Sequence, residues 1–296
     1  MPKIHKTHPI QQSRFYGMKS RKKLAELLYT NVKTLEKIAN AENMYDCWEK
    51  EKSDGRTRLI EAPKGSLKSK QSRIALLLGR IEKPSYLMAP VKGRSYVSNA
   101  AAHIGSQSFR LMDVENFFPS CSAKKVFWFF NKKLLCSMDV AAILTKLSTF
   151  NNRLPQGSPA SPILAYYAYL DMWDEIDLVV RNAGYIWTLY ADDITISADV
   201  VYEKDVWEIK RILKKHGHNY HRGKLRSVTA SAVKITGVIV HKNSLLLPNC
   251  KHLEKKNLMK KFSIEKGQKE RRKMANQIRG REVQARQVLN YLENQV

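Results

Sequence analysis

The stretch Leu189-Tyr190-Ala191-Asp192-Asp193-Ile194-Thr195-Ile196-Ser197 decides how this chain folds. Its flanks are β-branched, aromatic or apolar, and two adjacent carboxylates interrupt them where a turn belongs. Runs of that composition pair as a tight β-hairpin, here with acids at the tip. Asp favours turns, so an isolated Asp-Asp reads equally well as a solvated turn. A second acidic strand end, Phe109-Arg110-Leu111-Met112-Asp113-Val114-Glu115, shifts that balance. There Asp113 follows an alternating run and precedes the aromatic pair Phe117-Phe118. Three carboxylates brought close repel one another unless cations lie between them, and hard oxygen donors of this kind suit Mg²⁺. Two such ions can clamp an in-line phosphoryl transfer.

On these residues the sequence resembles the reverse transcriptases. Tyr190-Ala191-Asp192-Asp193 is similar to the family's Tyr-X-Asp-Asp box, and Asp113 to the lone Asp of its first palm strand. Between them, Leu154-Pro155-Gln156-Gly157-Ser158-Pro159 is similar to the Pro-Gln-Gly box. The resemblance implies an α+β right-hand polymerase of fingers, palm and thumb, with an antiparallel palm sheet and a helical thumb. It places two Mg²⁺ ions among Asp113, Val114, Asp192 and Asp193, the three acids being catalytic. Phe118 is implied to lie under the sugar of the incoming deoxynucleoside triphosphate and to exclude a 2′-OH. Gln156 and Gly157 are implied to lie under template and nucleotide. Many members of one branch of the family carry an acid three residues after the catalytic Asp, where this chain has Asn116.

Composition points the same way. The 296 residues suffice for one large domain or two small ones, and 52 Lys and Arg against 27 Asp and Glu leave a net charge of +25. A surplus of that size calls for a polyanionic partner, with nucleic acid favoured over anionic lipid. Cys47, Cys121, Cys136 and Cys250 show neither metal-ligand nor redox spacing, which fits a reducing cytoplasm. No apolar run is long enough to span a bilayer, and the basic N-terminus lacks an apolar signal core, so a soluble cytoplasmic protein is expected.

Taken in order, residues 1–17 read as a loose arm. Leu24, Leu27 and Leu28 mark one short helix, and Asn31 caps a second carrying Val32, Leu35 and Ile38. After an Asp54-Gly55 turn, Arg56 to Pro63 alternates as a strand whose Arg56 and Arg58 suit phosphate oxygens. A helix is expected from Leu67 to about Ile81, and two more over Lys124–Lys133 and Ser137–Thr149. The Pro-Gln-Gly loop feeds a helix whose core stripe is Tyr166, Tyr169, Trp173, Ile176 and Val180. Val206, Ile209, Ile212 and Leu213 mark a further helix ending near Gly217. In Tyr220-His221-Arg222-Gly223-Lys224-Leu225, either Lys224 or Arg222 fills the basic position that the resemblance sets near the triphosphate. From Asn249 onward the chain reads as helical, and residues 251–296 hold thirteen Lys and Arg against five Asp and Glu. Its stripe is Met274, Ile278, Ala285, Leu289 and Leu292, with Gly280 as a candidate kink. The run Arg271, Arg272, Lys273 is expected to grip RNA phosphates by charge.

Two segments narrow the resemblance to the retron reverse transcriptases. Asn99-Ala100-Ala101-Ala102-His103 is similar to an Asn-Ala-X-X-His signature, and Ile235-Thr236-Gly237 departs conservatively from a Val-Thr-Gly signature. Asn99, His103, Thr236 and Gly237 are therefore expected to contact RNA. The division expected is a helical N-terminal extension over 1–48, fingers and palm over 49–235 and a basic thumb over 236–296. The branch resembled copies a structured non-coding RNA from an RNA 2′-OH, giving branched RNA–DNA (msDNA), and works beside an effector protein in anti-phage defence. Rival readings are a group II intron or diversity-generating enzyme, and a non-catalytic RNA-binding scaffold. Three intact acids argue against the scaffold.

Overall fold

The structure, a computed structural model, describes residues 7–51, 55 and 57–293. Arg56 and Asp54 of the expected basic hairpin lie outside the described residues. The chain opens with helices α1 (Arg21–Leu27) and α2 (Val32–Asn40), the hairpin β1 (Tyr45–Glu51) and β2 (Thr57–Pro63), and helix α3 (Gly65–Leu78). Strand β3 (Leu87–Ala89), helix α4 (Tyr96–Ala101) and strand β4 (Ser108–Asp113) follow. Five helices come next: α5 (Phe117–Ser120), α6 (Ala123–Trp128), α7 (Met138–Ser148), α8 (Ser161–Tyr167) and α9 (Leu170–Asn182). The hairpin β5 (Ile186–Tyr190) and β6 (Asp193–Ala198) leads into α10 (Glu203–Lys215). Strands β7 (Arg226–Thr229), β8 (Ala232–Ile235), β9 (Val238–His241) and β10 (Ser244–Leu246) precede α11 (Asn249–Ile264) and α12 (Gln268–Leu289).

These elements form two compact units that interleave along the chain. The first takes Met1–Pro84, Val114–Asp177 and Lys210–Tyr220. It is mainly helical, with Leu24, Leu28, Leu35, Ile74, Leu78, Phe129 and Leu144 fully or almost fully buried. The Asn31 side chain caps α2 as expected, accepting from the Thr34 amide at 2.8 Å. The expected loose arm is corrected from His8 onward. Its Phe15 is fully buried against Phe130, and the Gly17 amide donates to the Leu134 carbonyl at 2.8 Å. An aromatic ring removed from water offsets the entropy of ordering the segment. The helix expected after the Pro-Gln-Gly loop is two helices, α8 and α9, yet all five stripe residues are buried.

The second unit takes Ser85–Asp113, Leu178–Ile209 and His221–Val296. Its main sheet has the order β3-β5-β6-β4-β7, antiparallel except where β3 runs beside β5. All six residues of β4 are buried, so its apparent alternation did not mark a solvent face. The odd member, Arg110, is neutralised by Glu203 at 2.8 Å and donates to the Val201 carbonyl at 3.0 Å. A small sheet, β10-β9-β8, packs its apolar side with Val97, Phe109 and Leu111. Val288 of α12 joins that cluster fully buried, whereas Leu289, which the expected stripe included, is exposed. The stripe is off by one position there, because the last turns face this cluster rather than a neighbouring helix. Helix α12 runs unbroken through Gly280.

Candidate active site

Strands β5 and β6 pair Tyr190 with Asp193, leaving Ala191 and Asp192 as a two-residue turn. Ala191 has φ +57°, while Asp192 does not enter the left-handed region. A positive φ at the first turn residue alone is a position where glycine is usual, so the tip stores backbone strain. On the other side of β6, Asp193 pairs directly with Asp113 at the end of β4. Directly opposed residues of an antiparallel pair share a face, where like charges repel. Asp113 is buried, and the Lys224 ammonium sits 2.6 Å from its Oδ2. Burial, followed by the charges of Asp192 and Asp113, pushes the Asp193 carboxyl up to about 7, against the opposing pull of Lys224 and Arg226. A pocket of about 330 Å³ opens here, lined by Asp113, Asp193, Thr195, Lys224, Arg226 and Thr236.

Two cations at the rim thus leave the acids short of positive charge. The donor set, hard carboxylate oxygens with a charge deficit, fits a divalent cation. Among the described residues no three His, Cys, Asp or Glu side chains converge closely enough to hold one as they stand. The Asp113 carboxylate is instead paired with the Lys224 ammonium. Arg226 is a site residue the sequence reading missed. Its cue was a second cation two positions beyond Lys224 at the start of a strand.

Beneath the hairpin lies His103, with no solvent exposure. Its Nδ1 is 2.7 Å from Ser197 Oγ on β6 and its Nε2 2.8 Å from Thr188 Oγ1 on β5. One ring thus ties both strands of the acidic hairpin together. Burial holds the imidazole down to about 3, so it is neutral. Asn99 is equally buried, and its Nδ2 donates to Thr236 Oγ1 at 3.1 Å. That hydroxyl donates in turn to the Tyr96 carbonyl at 3.0 Å. Thr236 (φ +44°) and Gly237 (φ +91°) are the two-residue turn between β8 and β9. A β-branched residue is strained in that region, and the two hydrogen bonds hold it there. The two signature segments therefore meet each other. The expectation that Asn99 and His103 contact RNA is corrected: both side chains are sealed inside and position the turns that border the pocket.

In the first unit, Val114 is buried and bridges Tyr220. The chain then reverses through Asn116, at φ +48°, into the helical turn α5. Phe117 is buried against Trp173 and His218, and Phe118 is half-buried beside it. The two ring centroids lie 5.6 Å apart. The Pro-Gln-Gly loop is docked on β2. The Gln156 carbonyl accepts from the Glu61 amide at 2.8 Å, and Arg153 grips the buried Glu61 carboxylate at 2.8 and 2.9 Å. Gly157 has φ +144°, and a Cβ there would lie 2.8 Å from the Glu61 carbonyl oxygen, so only glycine fits. Arg58 is exposed on β2, opposite Lys50.

Residues 50–240 match the family described as "Reverse transcriptase (RNA-dependent DNA polymerase)". The chain belongs to the reverse transcriptase family. Within it, curated retron enzymes are similar. The retron Se72 reverse transcriptase of Salmonella heidelberg is 36% identical over 48% of this chain and 38% of its own length. The retron Ec86 enzyme of Escherichia coli is 35% identical over 51% and 47%, and the retron Mx65 enzyme of Myxococcus xanthus 31% over 64% and 49%. The chain thus spans about half or less of the length of these relatives. Telomerase from Candida albicans, solved with the TWJ fragment of telomeric RNA, superposes with a TM-score of 0.52 at 11% identity. That match covers 71% of this chain and 47% of telomerase. The fold is the α+β right-hand polymerase fold.

In the basic C-terminal helices the expected phosphate-gripping run divides. Arg271 stacks on the Phe262 ring at 4.4 Å and donates to the Phe262 and Glu265 carbonyls at 3.2 and 2.8 Å. These contacts close the end of α11. Arg272 and Lys273 are exposed, with Lys273 3.5 Å from Glu270.

Proposed function

We propose that this reverse transcriptase is an RNA-directed DNA polymerase of retron type that copies a structured non-coding RNA. The observation that carries the reading is the opposition of Asp113 and Asp193 at the ends of adjacent buried strands, with Asp192 beside them on a strained turn. Asp113 and Asp192, assisted by Asp193 and by the backbone at Val114, would hold two Mg²⁺ ions. Bound there, such ions lower the pKa of a primer hydroxyl and neutralise charge on the transferring phosphoryl group.

The remaining roles fall to the chain's own side chains. Lys224, which pairs with Asp113 in the pocket, would offer its ammonium to the triphosphate. Its place in the pocket, which Arg222 does not line, favours it over Arg222. Arg226 offers a guanidinium fork to the same phosphates. Phe118 packs under the nucleotide sugar, Gln156 and Gly157 lie under template and nucleotide, and Arg56 and Arg58 draw in the triphosphate. Thr236, Gly237, Arg272 and Lys273 face the RNA. Residues 1–48 serve as the N-terminal extension, 49–235 as fingers and palm and 236–296 as thumb.

The similarity to retron enzymes supports the finer reading. Priming occurs from an RNA 2′-OH, the product is branched RNA–DNA (msDNA), and an effector protein completes an anti-phage system. Four free cysteines suit a cytoplasmic setting, and no helix among the described residues is long and apolar enough to cross a membrane. The test is Asp192→Asn with Asp193→Asn, assayed for DNA synthesis and RNA binding, with sequencing of the nucleic acid that co-purifies with wild type. DNA synthesis should vanish while RNA affinity stays near wild type. Synthesis surviving at more than a few per cent would make the hairpin structural and end the assignment.

A further inference from the structure

Helix α1 ends in an unusual way. The Thr30 amide donates to the Ala25 carbonyl at 2.9 Å and the Tyr29 amide to the Glu26 carbonyl at 3.0 Å, the double closure that normally places glycine in the left-handed position. Here that residue is Tyr29, at φ +55°. Its neighbours Leu24 and Leu28 are buried, yet Tyr29 is 72% exposed. The strained backbone therefore returns no burial of the ring. A strained, exposed aromatic is an outlier that points to function rather than packing.

The surroundings indicate what the ring receives. The Arg73 guanidinium lies 4.5 Å from the ring centroid, fixed by donation of its Nε to the Leu27 carbonyl at 3.2 Å. Lys70, itself buried, donates to the Tyr29 carbonyl at 3.0 Å and locks the turn. One face of the ring thus rests on a cation and the other is open to solvent. Beside it lies a pocket of about 410 Å³ lined by Arg14, Lys23 and Arg73, with Glu26 as the one carboxylate. A flat π-face backed by positive charge and flanked by cations is the arrangement that takes an unpaired base and its phosphates.

We infer that Tyr29 and its cationic pocket form a binding site for an unpaired nucleotide of a single strand, the base stacked on the open face and the phosphates held by Arg14 and Lys23. Tyr29, Arg14 and Lys23 precede the residues matching the reverse transcriptase family, and Arg73 and Lys70 lie within them. The inference rests on the reading that this chain handles nucleic acid. The strand is either the RNA or its DNA copy, which share this chemistry.

The test uses the full chain and labelled oligouridylate and oligothymidylate of about a dozen nucleotides, a length matched to single-strand sites. Affinity and thermal stability are measured for wild type, Tyr29→Phe and Tyr29→Asn. Asn accepts the left-handed backbone readily, so the Asn variant should be at least as stable as wild type. Its affinity should nevertheless fall by about five- to a hundredfold, the value of one stacked base, while Phe stays near wild type. Oligonucleotides carrying 5-iodouracil should photocrosslink to Tyr29 in wild type, and the preference between the two sugars names the strand. An unchanged affinity in the Asn variant, or crosslinks only at other residues, would overturn the site. Primer extension on the same protein separates the two readings. Extension without a Tyr29 crosslink removes this site alone, and a Tyr29 crosslink without extension removes the polymerase reading alone.

Discussion

Protonating His103 should loosen the acidic hairpin, and the size of the effect follows from its burial. The imidazole is fully buried and spans Ser197 and Thr188 at 2.7 and 2.8 Å, with its pKa lowered from 6.5 to about 3. In the unfolded chain it charges near 6.5, whereas in the folded chain it stays neutral until about 3. Its contribution is therefore intact above 6.5 and declines as pH falls toward 3, at about 1.4 kcal/mol per pH unit. Between about pH 7.5 and about pH 5 that amounts to ~2 kcal/mol. The figure is insensitive to the exact folded value, because at pH 5 the folded ring is still neutral. His103→Gln keeps a donor and an acceptor of similar reach but cannot titrate. Urea unfolding of both proteins at the two pH values isolates the His103 share. His218, lowered to about 4 mainly by burial, is present in both proteins and cancels. Wild type should lose about 2 kcal/mol more than the Gln variant on acidification. Equal losses would mean that His103 is not a buried neutral brace.

Gly157→Ala should cost about 2–3 kcal/mol, since its Cβ meets a backbone carbonyl at 2.8 Å; a thermal melt matching wild type would show that the loop moves freely off β2. Phe118→Ala should admit ribonucleotides with a modest loss of deoxynucleotide incorporation, and unchanged discrimination in a competition assay would return the ring to the core. Replacing Arg272 and Lys273 with Gln should flatten the salt dependence of RNA binding by about 0.7–0.9 in log–log slope for each phosphate that is no longer neutralised. Parallel lines across a salt series would remove both residues from the interface, while Arg271→Gln should lower stability through the end of α11.

The acidic hairpin was legible because its information is local. A β-branched run, a two-residue turn and the pairing register follow from neighbours in sequence, and Asp113 at a strand end followed from the same rule. The core stripe of α8 and α9 was legible for a similar reason, since 3.6-residue periodicity survives a two-residue break. What escaped the sequence depended on partners far along the chain. Arg110 reads as an outward residue until Glu203 is seen 93 positions away. Asn99 and His103 read as surface signatures until Thr236, Thr188 and Ser197 are placed beside them. Phe15 looked like part of a loose arm because nothing nearby in sequence shows the Phe130 ring that covers it. The strain at Tyr29 and Ala191 was invisible, as both residues are ordinary in composition and unusual only in φ.

The interleaving of the two units bears on how the molecule is made. Neither unit is a continuous stretch, and the chain passes between them directly after Asp113 and directly after Tyr220. A ribosome releasing the chain from its N-terminus delivers both opposed acids well before β7, Lys224 and Arg226 appear. Until then β4 has a bare edge and the carboxylates lack their rim cations, a nascent state exposed to mispairing. Cutting the gene between the units cannot yield two independently folding fragments. The acids gain their rim cations only once Lys224 and Arg226 have emerged.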